Sequence, residues 1–522
     1  MIFFMAVMEL HSNYKENTRN QLIEAECPKM LIMIFDFVFL PMVQELMHEL
    51  DSKFTGTSGP KAYPRTLLTI VTLYCFSENI SKYKSMANEC KKNKFLIIIL
   101  EGKTPCRGTF ANFLNKSDNE IIHRVFVSTL VLLNDLNALT LTRVFIDGTD
   151  ALVRGSRYYY IKQRDLKAMD LLNEWNLLHD GTPKKIKKTI NELNIKLEEF
   201  KDDDEIFELI NLVIRRIKIH KHVVYNKKDR YVKEFEKRGD VKLSIIFPES
   251  VYLKTKKEIF DFAFNLQAVM TDRHLIFTSL LLSQPNDQKV FEDVYKKIKK
   301  TLDVFLEMNK IYGQHDNGQK FMTSFLKIVI VADAGYFTVK NLYFIFINRI
   351  NALIMPNTEA RKENDKLRQK DKKEKSSEKI EFNRVKGGYE CEHGKFLKFL
   401  RTIAIKHRKP QDEDVPDVCK TKRQIYGRKH CEGCPDIEKC PQKIEDRIPF
   451  LNRWMTEKYL DLRHRKHYSL RFSRSECING FHKTTSILNL VGTTLNAVNN
   501  ELDLRNVIYH LTRINTLKEE GN

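Results

Sequence analysis

Residues 327 to 332 read Lys-Ile-Val-Ile-Val-Ala, a near-continuous apolar run that ends on Asp333, Ala334, Gly335 and Tyr336. A strand without polar alternation has no face to give to water, so it must lie in a sheet covered on both sides. A chain that carries such a strand therefore has to layer other elements around it. A second short run, Arg143 to Ile146, is β-branched and aromatic, and it leads into Asp147, Gly148, Thr149 and Asp150. This pattern predicts a strand followed by a turn. A weaker apolar run, Asn351 to Met355, predicts one more strand.

Between these runs, Phe262–Thr271 and Leu275–Leu282 are rich in strand formers, and the segment between them, residues 272 to 274, reads Asp-Arg-His. This is the pattern of a β-hairpin. Upstream, Thr182 and Pro183 form an N-cap and first-turn pair. Ile186, Ile190, Leu193, Leu197 and Phe200 then recur at helical spacing, and Ile206, Ile210, Val213 and Ile217 resume it after an acidic turn. Two amphipathic helices, a helical hairpin inserted at about 160–240, follow from that periodicity. Residues 1–135 are rich in helix formers, with Tyr63 and Pro64 at one helix start. Residues 359–380 are almost all charged or polar, and a long helical stretch is expected from about 475 to 500.

At 522 residues the chain exceeds one ordinary core, and a 42% hydrophobic share suffices to build several. The 88 Lys and Arg against 68 Asp and Glu leave a surplus of 20 positive charges. Such a balance favours a polyanionic partner through phosphate neutralisation and counterion release. The apolar stretch Met30–Met47 contains Asp36 and Pro41 and falls short of the about 20 residues of a membrane span, so it reads as a buried helix. Met1–Met8 lacks the basic leader and cleavage site of a secretory signal. Ten cysteines, five of them between 391 and 440, fit a reduced cytoplasm better than a disulfide scaffold.

Two acidic residues thus sit at the ends of two apolar strands, where an α/β sheet presents its ligand site. Hard oxygen ligands in such a place suit two divalent ions about 3.5–4 Å apart, the requirement of phosphoryl transfer. Their surroundings resemble the DDE transposases of bacterial insertion sequences, which have a ribonuclease H-like catalytic core. Asp147-Gly148-Thr149 is similar to that family's first motif, and Phe264-Asn265-Leu266-Gln267 to its Tyr-Asn-x-Gln. Asn286-Asp287 resembles the Asn-Asp that follows, and Val331 to Tyr336 the second catalytic motif. Tyr468, Arg471, Glu476 and Lys483 resemble the Tyr-Arg-Glu-Lys signature. The likeness runs in order from about residue 60 to 500.

The resemblance implies a multidomain α/β chain. A helical N-terminal DNA-recognition domain (1–135) would precede a ribonuclease H-like mixed-sheet core (140–355 and 450–500). A charged linker and cysteine-rich insertion (356–449) would interrupt that core, and a C-terminal tail (501–522) would follow it. It implies Asp147, Asp333 and Glu476 as catalytic ligands of two Mg²⁺ or Mn²⁺ ions, and DNA contacts from Asn265, Gln267, Tyr468, Arg471, Arg474 and Lys483. Four residues separate Arg471 from Glu476, where related branches have three, so Arg474 is an alternative arginine. Glu476 and Lys483 lie seven apart, two turns along one helix face. Cys431 and Cys434, with Cys440, Cys391 and Cys419, offer spacings that a structural Zn²⁺ tolerates. The family further implies a homodimer or higher assembly on DNA, in the nucleoid-associated cytoplasm. The alternatives are a non-catalytic DNA-binding descendant of a transposase and a nuclease of the same fold.

Overall fold

A computed structural model describes residues 2–53, 63–153, 158, 160–166, 183–220, 228–255, 258–313, 328–357, 360, 381–383, 388–390, 396–404, 422–427, 443–446, 450–461, 467–471, 489–492 and 494–520. The first 135 residues are helical, as their composition predicts: α1 (Ile2–Glu24), α2 (Lys29–Val38), α3 (Pro41–Ser52), α4 (Arg65–Ser77), α5 (Tyr83–Lys92), α6 (Lys94–Ile99), α7 (Arg107–Lys116) and α8 (Asn119–Asp135). Local chemistry sets several starts. Asn93 accepts from the amides of Phe95 and Leu96, and Asp118 from that of Glu120, which satisfies donors that the first turn leaves open. Met30–Met47 is not one helix but parts of two, α2 and α3, bent by 69° where Pro41 opens the second. Both are largely buried in the core. Among the described residues no single helix is long and apolar enough to cross a membrane.

The main sheet begins with β1 (Arg143–Val153), and a short β2 (Tyr160–Ile161) follows in a separate two-stranded ribbon. The inserted helices α9 (Pro183–Glu199) and α10 (Asp204–His220) form the expected pair, with Leu193 and Ile210 fully buried. Thr182 lies outside the described residues. Then come α11 (Lys228–Arg238), β3 (Leu243–Ser244), β4 (Val251–Lys254), β5 (Phe260–Thr271), β6 (Ile276–Leu282), α12 (Phe291–Tyr312), β7 (Val329–Ala332), α13 (Val339–Ile347) and β8 (Ala352–Ile354). The β-hairpin and all three apolar strands are therefore present.

β1 lies at the centre. It pairs antiparallel with β5 from Val144 opposite Thr271 to Leu152 opposite Ala263, and parallel with β7 from Arg143 beside Val329 to Phe145 beside Val331. β6 and β4 follow one another antiparallel along the far edge of β5, and β8 lies parallel outside β7. The main order is thus β6–β5–β1–β7–β8, with β5 alone running against the others. This mixed sheet is buried on both faces, as its apolar strands require.

Within the expected charged and cysteine-rich insertion (356–449) lies an antiparallel sheet of β9 (Glu381–Asn383), β10 (Gly388–Glu390), β11 (Phe396–Ala404), β12 (Lys422–Gly427) and β13 (Lys443–Asp446), paired in chain order. After α14 (Phe450–Leu460), residues 489–490 form β14 beside the end of β1, where a helix was expected. Residues 501–522 are not a tail either. α15 (Leu495–Glu519) is buried along most of its length against α8, α7, α4 and α2. Asn119 donates to Asn500 Oδ1 at 2.6 Å, Asn500 to the carbonyls of Leu114 and Ser117, and Arg505 stacks over Phe76. One continuous apolar core joins these helices to β1, β5, β6 and β7. The helical N-terminal part and the sheet are not separate packing units.

Candidate active site

The parallel register of β1 and β7 dictates the site. Phe145 lies beside Val331, so Asp147 and Asp333, each two residues further on, emerge next to each other. Asp333 stands past the strand end, as expected. It caps a 3-10 turn (Ala334–Tyr336), accepting the Gly335 amide at 2.8 Å. Asp147 does not. β1 continues through Asp147, Gly148 and Thr149 to Val153, because β5 supplies a partner for every residue of that stretch as far as Leu152. The Asp-Gly-Thr-Asp turn signal is overridden by tertiary pairing, and Gly148 has another purpose. An added Cβ at Gly148 would stand 2.8 Å from both Asp287 Oδ1 and Gln267 Nε2. Glycine in a strand interior marks such a close approach.

Asp287, in a 3-10 turn (Asp287–Lys289) before α12, is the acid that the motif Asn286-Asp287 carried without an assigned role. Its Oδ1 accepts from Asn265 Nδ2 at 3.0 Å and from Gln267 Nε2 at 2.7 Å. Gln267 also donates to Asn265 Oδ1 at 2.7 Å, and the Tyr336 hydroxyl donates to Gln267 Oε1. Asn341 Nδ2 donates to the Tyr336 carbonyl at 3.0 Å and to the Asp287 carbonyl at 3.4 Å. Asn265 and Gln267, expected to contact DNA, are buried and instead hold Asp287. Their amides are engaged within the protein.

Arg471, in the helical turn 467–471, closes the arrangement. Its Nη2 donates to Asp147 Oδ1 at 2.9 Å and to Asp333 Oδ2 at 3.3 Å. The guanidinium, expected at a phosphate, faces the two carboxylates. Burial raises the Asp333 carboxyl above its ordinary value. Arg471 opposes that shift, while Asp287 and Asp147 add to it. Burial works against the charge on Arg471, but Asp333 and Asp147 outweigh it and hold the guanidinium above its ordinary range. Tyr336, fully buried, is pushed well above the usual phenol value by desolvation and then by the three acids, Asp287 first. Tyr468 packs edge-on against Tyr459 with ring centroids 5.1 Å apart, in a small apolar cluster with Leu353 and Met355.

Three motifs therefore meet through side-chain hydrogen bonds, and Arg471 ties the first and the fifth to them. Among the described residues no three His, Cys, Asp or Glu side chains converge closely enough to hold a metal ion. Asp147 and Asp333 supply two hard oxygen donors, and the third expected ligand, Glu476, lies outside the described residues. So do Arg474, Lys483, Cys391, Cys419, Cys431, Cys434 and Cys440. Asp287 was legible as a motif residue, but its role emerges only from the clearance at Gly148, a signal that depends on strand pairing. No family model matches the chain, and no curated protein or solved structure is significantly similar to it.

Proposed function

We propose that this chain is a DDE-type transposase, cutting DNA at the ends of an insertion sequence and joining those ends to target DNA. One observation carries the reading. Asp147 and Asp333, 186 positions apart in the sequence, stand side by side on neighbouring parallel strands and share one guanidinium. The five-strand mixed order with β5 reversed supports a ribonuclease H-like core. The 20 surplus positive charges support a nucleic-acid substrate.

The donor chemistry fits divalent cations. Two acids repel one another across a partly buried space, and the structure balances them with a positive group that makes no covalent claim on them. In this reading Asp147, Asp333 and Glu476 hold Mg²⁺ or Mn²⁺, which supplies charge neutralisation at the attacking and leaving oxygens. The chain's own residues do the rest. β1 and β7 fix the two carboxylates, and the buried Asn265–Gln267–Tyr336 network keeps the surrounding backbone from shifting. In the first step a water oxygen attacks phosphorus at the element end, the bond to the 3′ oxygen breaks, and that oxygen takes up a proton. In the second, the freed 3′-hydroxyl attacks a target phosphodiester with loss of its proton, displacing the next 3′ oxygen.

The test is cleavage and joining of DNA that carries the sequences flanking the reading frame. Asp147→Asn, Asp333→Asn and Glu476→Gln should each abolish Mg²⁺-dependent cleavage while DNA retention in a gel-shift assay stays near wild type. Near-normal cleavage by any of the three removes that residue from the site. Nicking without joining in the wild type favours a nuclease of the same fold.

A further inference from the structure

We propose that Asp287 is a third working carboxylate of this site, a positioning acid whose fixed negative charge sets how tightly Asp147 and Asp333 hold a divalent cation. The inference rests on the reading of the Asp147–Asp333 pair given above. Three features of the structure carry it.

The first is asymmetry at the carboxylate. Oδ1 accepts from both Asn265 and Gln267, so the group has a fixed orientation. The second is where the other oxygen lies. An added Cβ at Gly335 would meet Asp333 Oδ1 at 2.9 Å and Asp287 Oδ2 at 3.3 Å, so Oδ2 lies over the same backbone that the Asp333 side chain caps. The third is the pair of glycines. Gly148 follows Asp147 directly, Gly335 lies two past Asp333, and Asp287 presses on both. A side chain at Gly148 would collide with this carboxylate, and one at Gly335 would collide with Asp333 Oδ1 and crowd Asp287. Glycine permits a close backbone approach and costs conformational entropy, which the fold bears in β1 and in the turn after β7 around the same acid.

A purely structural hydrogen-bond acceptor at 287 would need no charge. Asparagine has the same shape and could still accept from both amides, with its nitrogen in the place of Oδ2. An acid there instead adds repulsion to a site that already holds two. That repulsion is relieved when a divalent cation enters, so the charge strengthens cation binding without Asp287 having to touch the ion.

The experiment titrates the full-length chain, freed of metal and without DNA, with Mn²⁺, and reads free ion by electron paramagnetic resonance. Wild type, Asp147→Asn, Asp287→Asn and Asp287→Glu are compared, with melting in chelator as the fold control. The proposal expects Asp287→Asn to bind Mn²⁺ roughly tenfold or more weakly while melting in chelator at or above the wild-type temperature. Asp287→Glu, which keeps the charge and alters the shape, should stay closer to wild type. The reverse ranking, with Asn like wild type and Glu impaired, overturns it. Should Asp287→Asn fail to fold, Asp287→Glu decides: retained affinity supports the proposal and lost affinity overturns it. A wild-type chain with no Mn²⁺ site sensitive to Asp147→Asn overturns the underlying reading of the pair, an outcome distinct from a normal pair that ignores residue 287.

Discussion

The guanidinium of Arg471 stands 2.9 Å from the carboxylate of Asp147, with both side chains only 15% exposed. Nothing in the sequence spacing predicts that contact, because 324 positions separate the two residues. It makes Arg471 the counter-charge of the two acids. In chelator, Arg471→Gln should destabilise the protein by about 1–3 kcal/mol, since it leaves two neighbouring, partly buried acids uncompensated. Added Mg²⁺ should restore most of that loss by supplying the missing positive charge. Thermal melting with and without the ion measures both effects. A variant as stable as wild type in chelator, or one that Mg²⁺ leaves unrestored, removes Arg471 from this role.

Gly148→Ala tests the close approach between β1 and Asp287. The new Cβ would sit 2.8 Å from Asp287 Oδ1 and Gln267 Nε2, so one of them has to move. Both are held in a network that includes buried Tyr336, and the forced shift should cost about 1–3 kcal/mol. Cleavage should fall more steeply than DNA binding, because the displaced groups surround the acids and not the surface. Chemical denaturation together with a binding assay would show it. A neutral substitution means the strand can slide to make room.

Acid sensitivity should arise far from the acids, at His510 on α15. It is fully buried, stacks on Phe126 and shares a 2.6 Å hydrogen bond with Thr129. Burial pushes its pKa down from 6.5 to about 3. The unfolded chain therefore takes up a proton near 6.5 that the folded chain refuses until about 3. His510 thus contributes stability that is fully present above about 6.5 and lost progressively as pH falls towards about 3. His510→Gln should lower stability at neutral pH by about 1 kcal/mol through an imperfect bond to Thr129. Its stability should also fall less steeply between pH of about 6 and 4 than that of wild type. Equal slopes in denaturant titrations across that range would show that His510 is not the titrating group.

The strands at Val144 and Val331 could be read from the sequence because burial on both faces favours apolar runs, and the strand at Phe264 from strand formers on either side of a turn, all local signals. Asp333 was legible for the same reason, standing where its run stops. Asp147 was found as a residue but misplaced in its element. Gly and Asp signal a turn locally, and only pairing with β5 carries the strand past them. Asn265 and Gln267 were legible as a motif expected to contact DNA, but their bonds to Asp287 were not, since a polar side chain in a strand gives no hint that its partner is another side chain. β9–β13 went unread because short strands rich in charge carry little apolar signal, although β11 holds Phe396, Leu397, Phe399, Leu400 and Ile403. α15 escaped for the opposite reason: polar residues such as Asn500, Glu501, Asp503 and Arg505 line its buried length, each matched to a partner on another turn or element.

That burial of α15 among α8, α7, α4 and α2 has a consequence for how the protein is made. The helices that leave the ribosome first cannot seal their core until residues beyond 495 have been synthesised. A nascent or prematurely terminated chain therefore carries open apolar faces on α4 and α8, the clients that chaperones and proteases recognise. The core closes only once α15 has been made, so translation itself acts as the inspection step. Fragments that retain the N-terminal helices but lack α15 would be cleared instead of accumulating.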